Sequence, residues 1–375
     1  MIYLDNAATT YPKPQSVRRA LGSAAMYSAN PGRSGHSLAM KAGENIYSCR
    51  VKAAEMFGAK SPENVIFTPG CTYSCNMVIK GLLKSGDHVV VSDMEHNAVM
   101  RPLKAMTQRG VTYTAARVAS DNDETISNFR EALRSSTRLV ICTHVSNVWG
   151  IRLPVERLAA LCRQYGILFM TDAAQSAGVF EINASESGFD FVCIPAHKGL
   201  YGTMGTGLLI VSDPQLLSTI IEGGTGSGSI SLSQPDFPPD KFESGTPNYP
   251  GICALSAGLD FVKTTGIGRI HSKEISLLSE LYDRLSANRN VILYTKRPDI
   301  RSCGGVMSFN VGDLGSEQCA EYLSKRGIAV RAGLHCAPLA HEHFRTEKRG
   351  AVRIAPSYFT NFNEIVTLSR VIAGM

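Results

Sequence analysis

The chain has 375 residues, of which 44% are hydrophobic and 19% charged, and a formal net charge of +6. This composition supports a sizeable core and more than one domain, and it excludes a disordered chain. No run of five Lys or Arg occurs, which excludes a nucleic-acid footprint, and no uninterrupted apolar stretch approaches the ~18 residues of a membrane span.

The N-terminal stretch "MIYLDNAATTYPKP" carries an acid at Asp5 and no basic segment ahead of an apolar one. No secretory signal is expected, and a cytoplasmic location follows. From about residue 60 to 220, short apolar runs alternate with helical patterns. "NVIFTPG", "DHVVVSD", "RLVICTHVSN", "GILFMTDAAQ", "FDFVCIPAHK" and "TGLLIVSD" predict buried strands that end in polar or small residues. Between them, "PVERLAALCRQY" predicts a helix from Pro154 to Tyr165, with Pro in its first turn and Gly166 past its end. Another helix is predicted from near Thr72 to before Gly86. Such alternation predicts an α/β domain with a mainly parallel sheet, whose ligands gather at the carboxyl ends of the strands.

Residues 223–251 are rich in Gly, Ser and Pro and predict a long functional or crossing loop. Helical patterns follow at 251–265 and 272–287, then the strand "VMSFNVG", a helix from Ser316 to Arg326 and the run "IAVRAG". The last helix opens at Asn361 with Glu364 three residues on, a capping-box pattern. The expected division is a large domain over 15–254 and a smaller α/β domain from 1–14 and 255–375.

Ten cysteines are present and none forms C-x-x-C, so free thiols are expected, most of them small buried hydrophobes. Cys336 differs. It lies in "VRAGLHCAPLAHEHF" with His335, His341 and His343. Spacing alone allows a nucleophile, a metal ligand or an inert thiol. Structural zinc sites pair their ligands on two arms, and no second arm is evident here, so no metal is expected. The Gly- and Pro-bounded setting points to an exposed, mobile segment.

Lys198 follows a buried strand in "FDFVCIPAHKGLYG", and Asp172 ends another in "FMTDAAQ". A surface lysine and a helix cap would account for them separately. Together they suit the two ends of pyridoxal phosphate, whose ring nitrogen needs a carboxylate to stay protonated.

"YLDNAATT", "TDAAQ", "AHKGLYG", "ESGTPN" and "RAGLHCAP", in this order, resemble the cysteine desulfurase branch of the class V aminotransferases. The R-x-G-x-H-C-A form resembles the second desulfurase group, which includes selenocysteine lyases. The resemblance implies a fold-type-I pyridoxal-phosphate-dependent transferase: a large domain around a seven-stranded sheet and a smaller C-terminal domain. It implies that Lys198 attaches the cofactor covalently and shuttles a proton, that Asp172 pairs with the pyridine nitrogen, and that Gln175 meets the phenolic oxygen. His96 is expected to stack on the ring. The Cys71 amide, Thr72 and His197 are expected at the phosphate, with Thr246 supplied by the partner of a homodimer. Asn147 is expected near cofactor and substrate, Arg353 on the substrate carboxylate, and His36 near the site. The implied reaction converts L-cysteine to L-alanine, with the sulfur captured as a persulfide on Cys336 for a sulfur-acceptor protein of iron–sulfur or other thio-cofactor assembly. His335 or a neighbouring cation would favour the thiolate.

Three departures stand out: Pro195 and Cys71 where hydroxyl residues are common, and Gly199 as an extra residue after the lysine. They predict weaker or altered phosphate binding. The competing functions are a selenocysteine lyase, another class V lyase, epimerase or aminotransferase with Cys336 incidental, and a non-catalytic sulfur-relay protein. Cysteine sulfinate is a further candidate substrate, and His341 and His343 have no expected role.

Overall fold

A computed structural model describes residues 1–31 and 34–375 of the chain. Its central sheet has seven strands in the order Val65–Thr68, Gly207–Val211, Phe191–Pro195, Leu168–Asp172, Thr137–Thr143, His88–Ser92 and Thr112–Ala116. The five strands from Phe191–Pro195 to Thr112–Ala116 run parallel. Gly207–Val211 runs antiparallel to both of its neighbours and follows Phe191–Pro195 through the glycine-rich turn that carries Lys198.

The inner strands are apolar on both faces because helices cover both. Val89, Val91, Leu139 and Ile141 pack with Val78, Ile79, Val99 and Leu103 from helices Cys71–Leu82 and Asn97–Thr107. The alternate residues Val90, Val140, Phe169 and Val192 pack with Phe57 and Leu158 from helices Ser37–Phe57 and Val155–Gln164. All six strands predicted from apolar runs are present. The seventh, Thr112–Ala116, escapes that reading because it is an edge strand that is mostly exposed or half-buried and carries no continuous apolar run.

A second sheet of four antiparallel strands follows the order Arg331–Gly333, Ala351–Ile354, Met307–Val311 and Val291–Leu293. Helices Ile267–Ser286, Ser316–Ser324 and Phe362–Ala373 close a separate core on it, built from residues such as Leu278, Phe309, Leu323, Ile354 and Leu368. Leu4 belongs to this core, because Ile2–Tyr3 pairs in parallel with Ile328–Ala329. Asn361 and Glu364 form the expected capping box. The loop before helix Tyr249–Thr265 has no regular element after the turn Pro214–Leu216, and Ile230 and Leu232 stand fully exposed on it. Among the described residues, no helix is long and apolar enough to cross a membrane.

Candidate active site

The parallel strands deliver their last residues to one cavity of about 760 Å³. Asp172 is the final residue of its strand, opposite Cys193 on the next, and is 3% exposed. Its Oδ1 accepts from the Ala174 amide at 2.8 Å and from the Cys71 thiol at 3.3 Å. Lys198 leaves the neighbouring strand through a turn closed by Tyr201 N to Lys198 O and Gly202 N to Ala196 O. Burial lowers the Lys198 pKa, Arg353 and Arg331 add to this, and Asp172 opposes it. Its Nζ makes no hydrogen bond to any described residue. Gly199 is required here, since a Cβ on it would lie 2.2 Å from the Ala177 carbonyl oxygen.

Beside Lys198, helix Cys71–Leu82 points its N-terminus at the cavity. No side chain caps it, so the Cys71 and Thr72 amides are free of protein acceptors. Gly70 packs on Gly207 so closely that a Cβ on Gly207 would come within 2.7 Å of its Cα. His197 faces the same end with a buried, unpartnered Nδ1, and burial lowers its pKa to about 4. Lys13 donates to the His197 carbonyl oxygen at 2.8 Å, and burial lowers its own pKa to about 8. A bare helix start, the Thr72 hydroxyl and the unpartnered His197 nitrogen form an anion cradle.

His96 caps helix Asn97–Thr107, its Nδ1 accepting from the Ala98 amide at 2.9 Å. Burial lowers its pKa to about 4, so the ring is neutral at pH 7. Gln175 donates to the Ala7 carbonyl oxygen at 3.0 Å. Arg353 is 2% exposed and donates to the Asn147 carbonyl oxygen and to Asp5, at 3.0 and 2.9 Å, leaving its Nε unpartnered. The Asn147 side chain donates to the His335 carbonyl oxygen at 2.8 Å.

The cavity thus gathers Cys71, Thr72, His96, Asn147, Asp172, Gln175, His197, Lys198 and Arg353. It does not gather His36 or Thr246. His36 is exposed at the start of helix Ser37–Phe57, and Thr246 is exposed on the long loop.

Cys336 is exposed on the turn between strand Arg331–Gly333 and helix Pro338–His343. Its neighbour His335 lines the cavity. The turn is tightly held: the Cys336 carbonyl oxygen accepts from the Asn97 amide at 2.7 Å, and the Ala337 amide donates to Leu334. His335 and Cys336 both adopt left-handed backbone, φ 50 and 56. Burial and then Arg353 hold His335 far below its usual pKa, at about 2. It therefore carries no charge that would favour a thiolate. His341 is buried beside Trp149 and bonds Thr346, while His343 pairs with Asp93 at 2.7 Å. These two histidines fasten the segment that follows Cys336, and among the described residues they form no metal cluster with Cys336.

Residues 2–368 match the aminotransferase class-V family. The chain belongs to this family. Over its whole length it is 33% identical to a probable cysteine desulfurase of Methanothermobacter thermautotrophicus, 95% of which is covered. Its fold matches the apo structure of a cysteine desulfurase from Thermococcus onnurineus NA1 with a TM-score of 0.92, at 30% identity over 100% of this chain and 94% of the other. It also matches the cysteine desulfurase CsdA of Escherichia coli at 0.88, with 25% identity over 99% and 93% of the two chains. The α/β fold of this class V chain, with its mainly parallel sheet and C-terminal unit, is the one expected.

Three residues in or behind the cavity escaped the sequence. Asp5 lies in the motif "YLDNAATT", but nothing local signals its pairing with Arg353. Arg331 lines the cavity because its strand aligns it with Arg353. Lys13 reaches His197 only through the fold.

Proposed function

We propose that this chain is a pyridoxal-phosphate-dependent cysteine desulfurase that converts L-cysteine to L-alanine and captures the sulfur as a persulfide on Cys336. The observation that carries it is a half-buried Lys198, without a hydrogen-bond partner among the described residues, that shares one cavity with Asp172 and Arg353, with exposed Cys336 next to the lining residue His335.

The residues fit the cofactor. The free Cys71 and Thr72 amides, the Thr72 hydroxyl and the unpartnered His197 Nδ1 hold a phosphate. Asp172 would hold a proton on a heterocycle nitrogen, and the neutral His96 ring would offer it a stacking face. Gln175 and Asn147 would meet the heterocycle's phenolic oxygen. Pyridoxal phosphate, when bound, supplies an electron sink for the substrate's α-carbon. Lys198 would hold the cofactor through its amine and would move the substrate's α-proton, a task suited to an amine of lowered pKa. Arg353, pinned by Asp5, binds the substrate carboxylate, and guanidinium geometry favours this. The Cys336 thiolate attacks the substrate sulfur. An S–S bond forms, the C–S bond breaks, and its electron pair stays with the carbon skeleton that leaves as alanine.

The spacing of Arg331, Gly333, His335 and Cys336 supports membership of the second desulfurase group. We further propose a cytoplasmic homodimer in which Thr246 completes the partner's phosphate site and His36 lies near the shared site. The exposed Thr246, Ile230 and Leu232 on one loop support this. The separate core around Phe309 supports a division into 15–254 and 1–14 with 255–375. A sulfur-acceptor protein, as in iron–sulfur assembly, takes the persulfide.

The test is to incubate the yellow, cofactor-loaded protein with L-cysteine and measure alanine and the mass of the Cys336 peptide. Equal amounts of alanine and of a peptide one sulfur heavier are expected in a single turnover. Unchanged alanine release by Cys336→Ala would overturn the role of Cys336.

A further inference from the structure

The thiols around Asp172 are not used by this chemistry. Cys71 and Cys75 stand four residues apart on helix Cys71–Leu82 and so share one face of it. That face meets the end of strand Leu168–Asp172. The Sγ atoms of Cys71 and Cys75 and a carboxylate oxygen of Asp172 all lie within 4.8 Å of one another, and all three residues are buried. Cys193, on the next strand, adds a third thiol that interacts with Cys75. Two thiolates and a carboxylate on zinc sit about 3.5–3.8 Å apart, given bond lengths of about 2.3 and 2.0 Å. Cys71 Sγ and Asp172 Oδ1 are already 3.3 Å apart. Closing the remaining spacing asks for shifts of about an ångström or less.

We propose that Cys71, Cys75 and Asp172 form a site for a thiophilic d¹⁰ cation, Zn²⁺ in the first instance, in the cofactor-free protein. Soft thiolates select such ions over Mg²⁺ or Ca²⁺. Cys71 and Asp172 line the cavity, so the ion has an open path in. The fourth position is left to solvent in the cavity. Each thiol that ligates gives its proton to solvent, so binding strengthens as pH rises. Thiol–thiol hydrogen bonds, to Cys75 for Cys71 and to Cys193 for Cys75, and then burial hold both thiols well above the usual thiol range without the ion. A second consequence rests on the proposed function: Asp172 cannot hold a metal and a protonated heterocycle at once. Metal and pyridoxal phosphate therefore exclude each other, and thiophilic metal arrests the chain in its cofactor-free form.

The test uses Cd²⁺ as probe on the full-length, cofactor-free protein. One equivalent should produce a thiolate-to-metal charge-transfer band in the near ultraviolet. Cys71→Ser should weaken binding at least about tenfold. Cys71 is chosen because it borders the cavity, and circular dichroism verifies the fold of this variant. Cys336→Ser should leave the band intact. A band that survives Cys71→Ser, or vanishes in Cys336→Ser, or is absent altogether, overturns the site. Cofactor-loaded protein should show no band, and its appearance there would overturn the exclusion. Failure of pyridoxal phosphate to bind at all would instead sink the proposed function, while the Cd²⁺ titration would still decide the metal site.

Discussion

At the scale of single residues, the site depends on charges held where water is scarce. Lys198 has no hydrogen-bond partner among the described residues, and burial lowers its pKa, as the proposed role requires. Lys198→Ala should lower alanine formation by at least about a thousandfold and abolish the visible absorbance of covalently attached cofactor. Absorbance spectra and alanine assays on one preparation check both. Arg353 is almost fully buried, and Asp5 is its only carboxylate partner among the described residues. Asp5→Ala leaves the guanidinium uncompensated and free to turn. A stability loss of about 2–3 kcal/mol and a roughly tenfold rise in KM for L-cysteine are expected. Denaturant unfolding and steady-state kinetics measure them. A KM that stays unchanged would show that Asp5 does not position Arg353. No local pattern in the chain announces this pair, because the two residues are 348 apart and meet only when the N-terminal segment docks on the second sheet.

At the scale of elements, the turn from strand Phe191–Pro195 carries Lys198, and its path depends on close backbone contact. Gly178 and Gly199 approach each other's turns so tightly that a Cβ on either would overlap a carbonyl oxygen. Gly199→Ala should shift Lys198 and raise the dissociation constant of pyridoxal phosphate at least about tenfold, a shift that equilibrium dialysis reads. Gly199 looked like an irregular insertion in the sequence; the fold shows it to be the residue that lets the turn pass Ala177. Six strands were legible because continuous apolar runs mark strands covered on both faces. Thr112–Ala116 was not, since it is mostly exposed or half-buried, unlike the opposite edge strand Val65–Thr68, which is mostly buried. The turn at Cys336 was legible as exposed. Its hydrogen bonds to Asn97 and through Asn147 were not, as they join segments distant in the chain.

At the scale of the whole molecule, burial of titratable groups sets the pH dependence of stability. His96, His144, His197, His335 and His341 have folded pKa values of about 4 or less, chiefly through burial. Each lies below the unfolded value of 6.5, so as pH falls below 6.5 the unfolded chain takes up protons that the folded chain refuses, and stability drops. Burial raises Glu95 and Glu274 to about 8, above the unfolded value of 4.5. The folded state keeps those two protons, so stability drops as pH rises from about 4.5 to 8. Below 6.5 the five histidines outweigh the two carboxyls, and above it the carboxyls act without them. Cofactor-free protein should therefore be most stable near pH 6.5, with Tm lower by roughly 5 °C or more at pH 5 and falling again towards pH 8. Calorimetry across this range checks it, and a Tm that rises steadily to pH 8 would contradict the burial of the carboxyls as acids.

The sequence by itself determined the α/β class, the strands under double cover, the last helix's cap and the motif residues Lys198, Asp172 and Arg353. These are local signals: apolar runs, capping spacing and short motifs at strand ends. Only the tertiary structure decided which groups share the cavity, that Asp5 holds Arg353, that His335 is neutral, that His341 and His343 anchor the Cys336 turn, and that Cys71 and Cys75 face Asp172. Those facts depend on distances between elements and on dehydration, and both arise only when the chain packs.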